Sequence, residues 1–111
     1  MGVSVRRAQE IDVDVVAGLV HSLLAELSAD GSDVPGHSDV LRSTGELLTD
    51  GTKVWAFLAI DPDGEPIGVL TLNQCAAIYA GGEFGEICEL YVVPDARSQN
   101  VAPKLLSLIH I

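Results

Sequence analysis

The run Val54-Trp55-Ala56-Phe57-Leu58-Ala59-Ile60 is apolar at every position. A strand with one wet face alternates apolar and polar side chains with a period of two. This run is apolar on both parities, which predicts an interior strand covered on both faces. Asp61-Pro62-Asp63-Gly64 follows it as a turn, with Pro presetting φ and Gly free to take a positive one. Ile67 to Ala77 then reads as the return strand of a hairpin, Ala80-Gly81-Gly82-Glu83 as the next turn, and Phe84 to Val93 as the strand after it. Pairing the last two strands about Gly81-Gly82 places Cys75 roughly opposite Cys88, as two small buried residues on neighbouring strands.

Upstream, Val3-Ser4-Val5-Arg6 alternates as a short first strand. Asp12 is placed to cap a helix from about Val13 to Leu27, along which Val13, Val16, Val20, Leu23, Leu24 and Leu27 form one apolar stripe. Ala29 to Gly36 is loop by composition. Ser38 is placed to cap a second helix carrying Val40, Leu41, Leu47 and Leu48 and closed by Asp50-Gly51. The order of elements is β-α-α-β-β-β-α, an α/β (α+β) chain.

Sixteen acidic residues against six basic ones give a formal charge of −10. Such a surface repels nucleic acid and anionic lipid, and receives a cationic amine more readily than a polyanion. A hydrophobic share of 48% supports a packed core rather than disorder. No apolar run reaches the length of a bilayer span, and Met1 to Arg7 lacks a signal-peptide hydrophobic stretch. Two cysteines make neither a disulfide framework nor a metal set, so reduced thiols, no metal and a cytoplasmic location are expected. His21, on a helix, and His37, in a loop, are expected to be surface residues without a role.

The segment from Glu86 to Leu106 carries the chemistry. It reads as a strand, a short acidic turn, a polar loop and the first turn of a helix, an arrangement whose backbone N–H groups suit an anion. Glu89-Leu90-Tyr91-Val92-Val93-Pro94 followed by Arg97-Ser98-Gln99-Asn100-Val101-Ala102, together with the Gly64-Glu65-Pro66-Ile67-Gly68-Val69 hairpin, resembles the GCN5-related N-acetyltransferases. The resemblance runs from Val3 to Leu105. It implies a mixed, mostly antiparallel sheet with flanking helices and acetyl-CoA as co-substrate. It also implies direct attack by a primary amine, on a small molecule or a peptide, in a ternary complex.

The resemblance assigns the backbone of Tyr91, Val92 and Val93 to the pantetheine arm, and the loop Arg97, Ser98, Gln99, Asn100, Val101, Ala102 to the pyrophosphate. Arg97, Ser98 and Ala102 fit the family's Arg-x-x-Gly-x-Ala pattern. Asn100 stands where the first Gly is usual, and is the non-Gly residue best suited to a left-handed backbone. Pro103, also a departure, removes one N–H from the cradle. Glu86 falls where the family's histone acetyltransferases place a general base, and Glu89 where other members carry an acidic residue that orients the amine. Three positions apart, the two face opposite sides of a regular strand unless a bulge intervenes. Asn100 and Pro103 also motivate a second reading, a degenerate acyl-CoA-binding module with a regulatory or interaction role.

By the same resemblance the chain is the N-terminal part of a longer enzyme, with the C-terminal half missing. The 111-residue piece is expected to be inactive alone, and its full-length parent is compatible with a homodimer. The last six residues, Leu106-Ser107-Leu108-Ile109-His110-Ile111, can be encoded by CTG TCT CTT ATA CAC ATC, a transposase end sequence used as a sequencing adapter. The expectation is therefore a native domain over 1–105 and a non-native tail over 106–111, with no role for His110.

Overall fold

The computed structural model describes residues 2–28, 34–78 and 81–109, with the backbone alone at Ala77 and Glu83. The expected loop at 29–36 and turn at 80–83 fall partly outside these residues, as do the last two positions of the tail. Four strands, β1 (Ser4–Arg7), β2 (Val54–Ile60), β3 (Pro66–Ala77) and β4 (Gly82–Val92), form one antiparallel sheet in the order β1-β2-β3-β4. Helices α1 (Val13–Leu27) and α2 (His37–Asp50) cover one face, and the short helix α3 (Val101–Leu106) the other.

This two-sided cover explains the apolar run in β2. Ala56 and Leu58 pack under α1 against Val16, Ala17 and Val20. Ala59, one residue out of phase, lies on the opposite face with Val101 and Leu105. Leu58, Leu70, Leu105, Val16, Val69 and Val101 are essentially fully buried. Burial of each such side chain is worth about 1.5–3 kcal/mol.

Four local expectations are corrected. Asp12 does stand at the N-cap of α1, but its carboxylate makes no capping bond to that helix. It accepts instead from the N–H of Gln9 at 2.8 Å and from the Arg6 guanidinium at 2.8 and 2.9 Å, which fixes the 3₁₀ turn Glu10–Asp12 against β1. Ser38 is not a cap, because α2 starts a residue earlier, at His37. Extended Gly36 holds the N-cap there, its carbonyl accepting from Asp39 and Val40 N–H groups at 3.0 and 3.1 Å. His37 is therefore helical, and its ring meets that of His21 edge-on at 5.4 Å. Cys75 stands opposite Phe84, not Cys88, because Gly82 already pairs with Ala77 as the first residue of β4, so the hairpin does not turn about Gly81-Gly82.

An isolated six-residue helix has too few hydrogen bonds to persist in water, so α3 depends on its seat. A Cβ at Gly68 would lie 3.1 Å from Val101 Cγ1 and 3.3 Å from both Leu105 Cδ1 and the Tyr91 carbonyl oxygen. The bare backbone at Gly68 is what lets α3 lie this close to the sheet. Gly68→Val should lower stability by ~1–3 kcal/mol in denaturant unfolding, through overpacking, and should release α3 first in hydrogen exchange.

The Arg6 hydrogen bonds hold the Asp12 carboxyl below its ordinary range, against the opposing effect of burial. A depressed folded-state pKa stabilises above the unfolded value, about 4, and the gain is lost as pH falls through the folded value. Asp12→Asn should cost ~1–3 kcal/mol near neutral pH. Its unfolding midpoint should converge on that of wild type as the solution is acidified below about pH 4.

Candidate active site

β3 and β4 run in register from Gly68 opposite Val92 to Thr71 opposite Glu89, and again from Leu72 opposite Ile87 to Ala77 opposite Gly82. Cys88 is the extra residue of β4 between the two stretches, a β-bulge. The Thr71 side chain fills the break. Its hydroxyl oxygen accepts from the Glu89 N–H at 3.0 Å, and the hydroxyl donates to the Glu89 carboxylate.

The bulge changes the phase of β4. Glu86 stands opposite Asn73 and Glu89 opposite Thr71. Asn73 and Thr71 are two residues apart and share a face, so both glutamates lie on the α1/α2 side despite their odd separation. They differ in surroundings. Glu86 is exposed and accepts from the Cys75 thiol at 3.6 Å. Glu89 is half-buried and borders a cavity of about 240 Å³ between α1, α2 and the sheet. Val16, Val20, Val40 and Leu47 supply apolar wall to that cavity, with Asp39 on α2 the second carboxylate on its lining. Cys88 is exposed and Cys75 half-buried, not both buried as expected; partial desolvation of the Cys88 sulfur still pushes its thiol up, reinforced by the charges of Glu89 and Glu86. A thiol so placed is poorly suited to act as a nucleophile.

A second cavity, of about 380 Å³, lies where the end of β4 meets α1 and the following loop. Tyr91, Val92, Arg97, Asn100 and Ala102 border it, together with Glu26 of α1. β4 is an edge strand. The Val93 N–H donates inward to the Ile67 carbonyl at 2.9 Å, whereas the Val92 carbonyl points outward and accepts from Arg97 Nε at 2.9 Å. In an antiparallel ladder both polar groups of one residue face the same way. Val92 therefore presents its N–H at the free edge, and Val93 does not. The Tyr91 side chain is buried in the core.

After the 3₁₀ turn Pro94–Ala96, the loop leads directly into α3. Asn100 takes φ 59° and ψ 32°, the one left-handed non-glycine among the described residues, as expected of it. Ser98 and Gln99 are exposed, while the side chain of Val101 is core and only its backbone faces the loop. Arg97 Nη2 lies 2.8 Å from both carboxylate oxygens of Glu26, and its guanidinium sits 5.5 Å over the Tyr91 ring. Glu26 and Thr71 were not anticipated. Glu26 precedes Arg97 by 71 residues, and Thr71 becomes significant only once the register across the bulge is known.

Residues 21–109 match the model of the acetyltransferase (GNAT) family, and the chain belongs to that family. The family transfers acetyl groups, with acetyl-CoA as co-substrate. A search of curated proteins gave no match. Among solved structures the chain is similar to a possible acetyltransferase from Clostridium difficile 630, at 18% identity and TM-score 0.81, covering 97% of this chain and 68% of that one. It is also similar to a predicted acetyltransferase with acetyl-CoA from Clostridium acetobutylicum, at 16% identity and TM-score 0.74, covering 96% and 70%. An aminoglycoside acetyltransferase from an uncultured soil sample, in complex with sisomicin, matches at 19% identity and TM-score 0.71, covering 96% and 66%. At these identities the likeness is one of fold. The chain spans about two thirds of the length of these structures.

The left-handed turn at Asn100 can be tested directly. A residue with a Cβ and no local hydrogen bonding pays about 1–2 kcal/mol there. Asn100→Ala should lower stability by roughly that amount, whereas Asn100→Gly should leave it unchanged or raised and, in a protein of the relatives' full length, should leave acetyl-CoA binding intact or strengthen it. A large loss of affinity in Asn100→Gly, measured by titration calorimetry, would assign the amide side chain a role of its own.

Proposed function

We propose that the whole protein transfers an acetyl group from acetyl-CoA to a primary amine by direct attack in a ternary complex. The observation that carries this is a pair of cavities along β4, one bordered by Glu89 and one by Leu90 to Val92, in a chain of this family. Acetyl-CoA supplies the acetyl group as an activated thioester. The residues present fit its polar parts: Val92 offers an outward N–H to the pantetheine arm, and the loop from Arg97 to Ala102 borders the cavity with Asn100 holding its turn. Two free cysteines support a reducing, cytoplasmic location.

Glu89 is the better placed of the two glutamates to handle the amine. It is half-buried at the end of an apolar cavity, and the Thr71 hydroxyl fixes one carboxylate oxygen, leaving the other for the ammonium. An amine reacts only when neutral, so a carboxylate that first orients it and then takes its proton serves both needs. The cavity walls favour an amine on a compact apolar body over a polyhydroxylated one such as sisomicin, which the similar aminoglycoside acetyltransferase holds.

In a protein of the relatives' full length, Glu89→Gln should lower kcat by ~10²–10⁴-fold and remove the acidic limb of the pH–rate profile, with acetyl-CoA affinity nearly unchanged. Glu86→Gln should fall short of that. Wild-type rates in both variants would move the proton transfer elsewhere. Acetyl-CoA binding with no turnover of any amine would favour an acyl-CoA-binding module instead.

A further inference from the structure

We propose that Glu26 limits how tightly this chain holds the diphosphate of acetyl-CoA, by keeping Arg97 engaged across the cavity where that diphosphate would lie. The proposal rests on the placement of the co-substrate given above.

Arg97 is the one basic residue among the described residues that border the second cavity. A guanidinium is the side chain best matched to phosphate oxygens. Here, however, it is held by three groups of the chain itself. Nη2 lies 2.8 Å from each Glu26 oxygen, Nε donates to the Val92 carbonyl at 2.9 Å, and the Tyr91 ring lies 5.5 Å beneath. Glu26 thus cancels the local positive charge and adds a carboxylate to the cavity border, where a diphosphate would be repelled by it.

The latch is also weak enough to open. Both side chains remain about half exposed, 45% for Arg97 and 46% for Glu26, and ion pairs this wet contribute little. A bound diphosphate would therefore compete with Glu26 for Arg97 rather than find it free. Removing only the charge of Glu26 should strengthen binding through the diphosphate and leave the pantetheine contacts alone.

The test is equilibrium binding of acetyl-CoA and of acetyl-pantetheine, which lacks the diphosphate, to a protein of the relatives' full length carrying the wild-type sequence, Glu26→Gln or Arg97→Gln, at low ionic strength. Thermal melts of each variant are taken in parallel. Glu26→Gln should bind acetyl-CoA ~3–10-fold more tightly, with acetyl-pantetheine unchanged. Arg97→Gln should weaken acetyl-CoA alone. A folded Glu26→Gln whose acetyl-CoA affinity is unchanged or lower makes Glu26 a plain staple between α1 and β4 and overturns the proposal. Equal tightening of both ligands overturns it too. If Glu26→Gln fails to fold, an Arg97→Gln variant that keeps full acetyl-CoA affinity has the same force. Failure of every form, wild type included, to bind acetyl-CoA sinks the co-substrate placement itself, and this proposal with it.

Discussion

Ala56 and Leu58 point to one side of the sheet while Ala59 and Leu70 point to the other, and neither side can be left to water. A sheet with two apolar faces needs a layer on each. On one face the chain supplies α1 and α2, long enough to carry an apolar stripe of several turns. On the other the described residues supply the short helix α3, whose hold comes from Val101 and Leu105 resting on Gly68. The loop before α3 therefore takes its shape from below. Burial of Val101 fixes the first turn of the helix, and Asn100 must accept a left-handed backbone to deliver the chain there. The cost of that conformation is small beside the burial it permits.

The bulge at Cys88 does for the candidate chemistry what Gly68 does for packing. A regular β4 would send Glu86 and Glu89 to opposite faces. With one extra residue between them, both face the helices α1 and α2. Thr71 both accepts from the Glu89 backbone and donates to its carboxylate, so the group that repairs the ladder also fixes the acid. Structure and site share one hydrogen-bonded unit.

How much of this was legible in the sequence varied with range. The boundaries of α1 matched the periodic stripe from Val13 to Leu27, because an amphipathic helix is encoded by its own residues. The hairpin at Asp61 to Gly64 was equally local: the Asp61 side chain accepts from Asp63 and Glu65 N–H groups, and Gly64 takes φ 86°. Misreadings arose where a residue had a more distant option. Asp12 looks like a cap until Arg6 is brought over it by β1. Cys75 looks opposite Cys88 until Gly82 is found paired with Ala77 inside the ladder. Glu26 has no local signal at all, since a glutamate in the last turns of an acidic helix is an ordinary surface residue until Arg97 arrives from the far end of the chain.

The acidity of the chain acts on the two proposed substrates with opposite sign. Of six basic residues, Arg6, Arg42 and Arg97 are each tied to a carboxylate, so the negative field at the surface is largely uncompensated. On the proposed function, that field favours approach of a cationic amine and opposes that of a polyanionic co-substrate. Across distances beyond the Debye length, about 8 Å at physiological ionic strength, salt removes most of it. Within the cavity itself, the neutralised Arg97 and the backbone groups of the loop act at contact range and are screened far less. Salt should therefore weaken capture of the amine and ease entry of acetyl-CoA. On that reading the division of labour is physical: the global charge would favour the acceptor, and local donors, set against Glu26, would hold the co-substrate in spite of it.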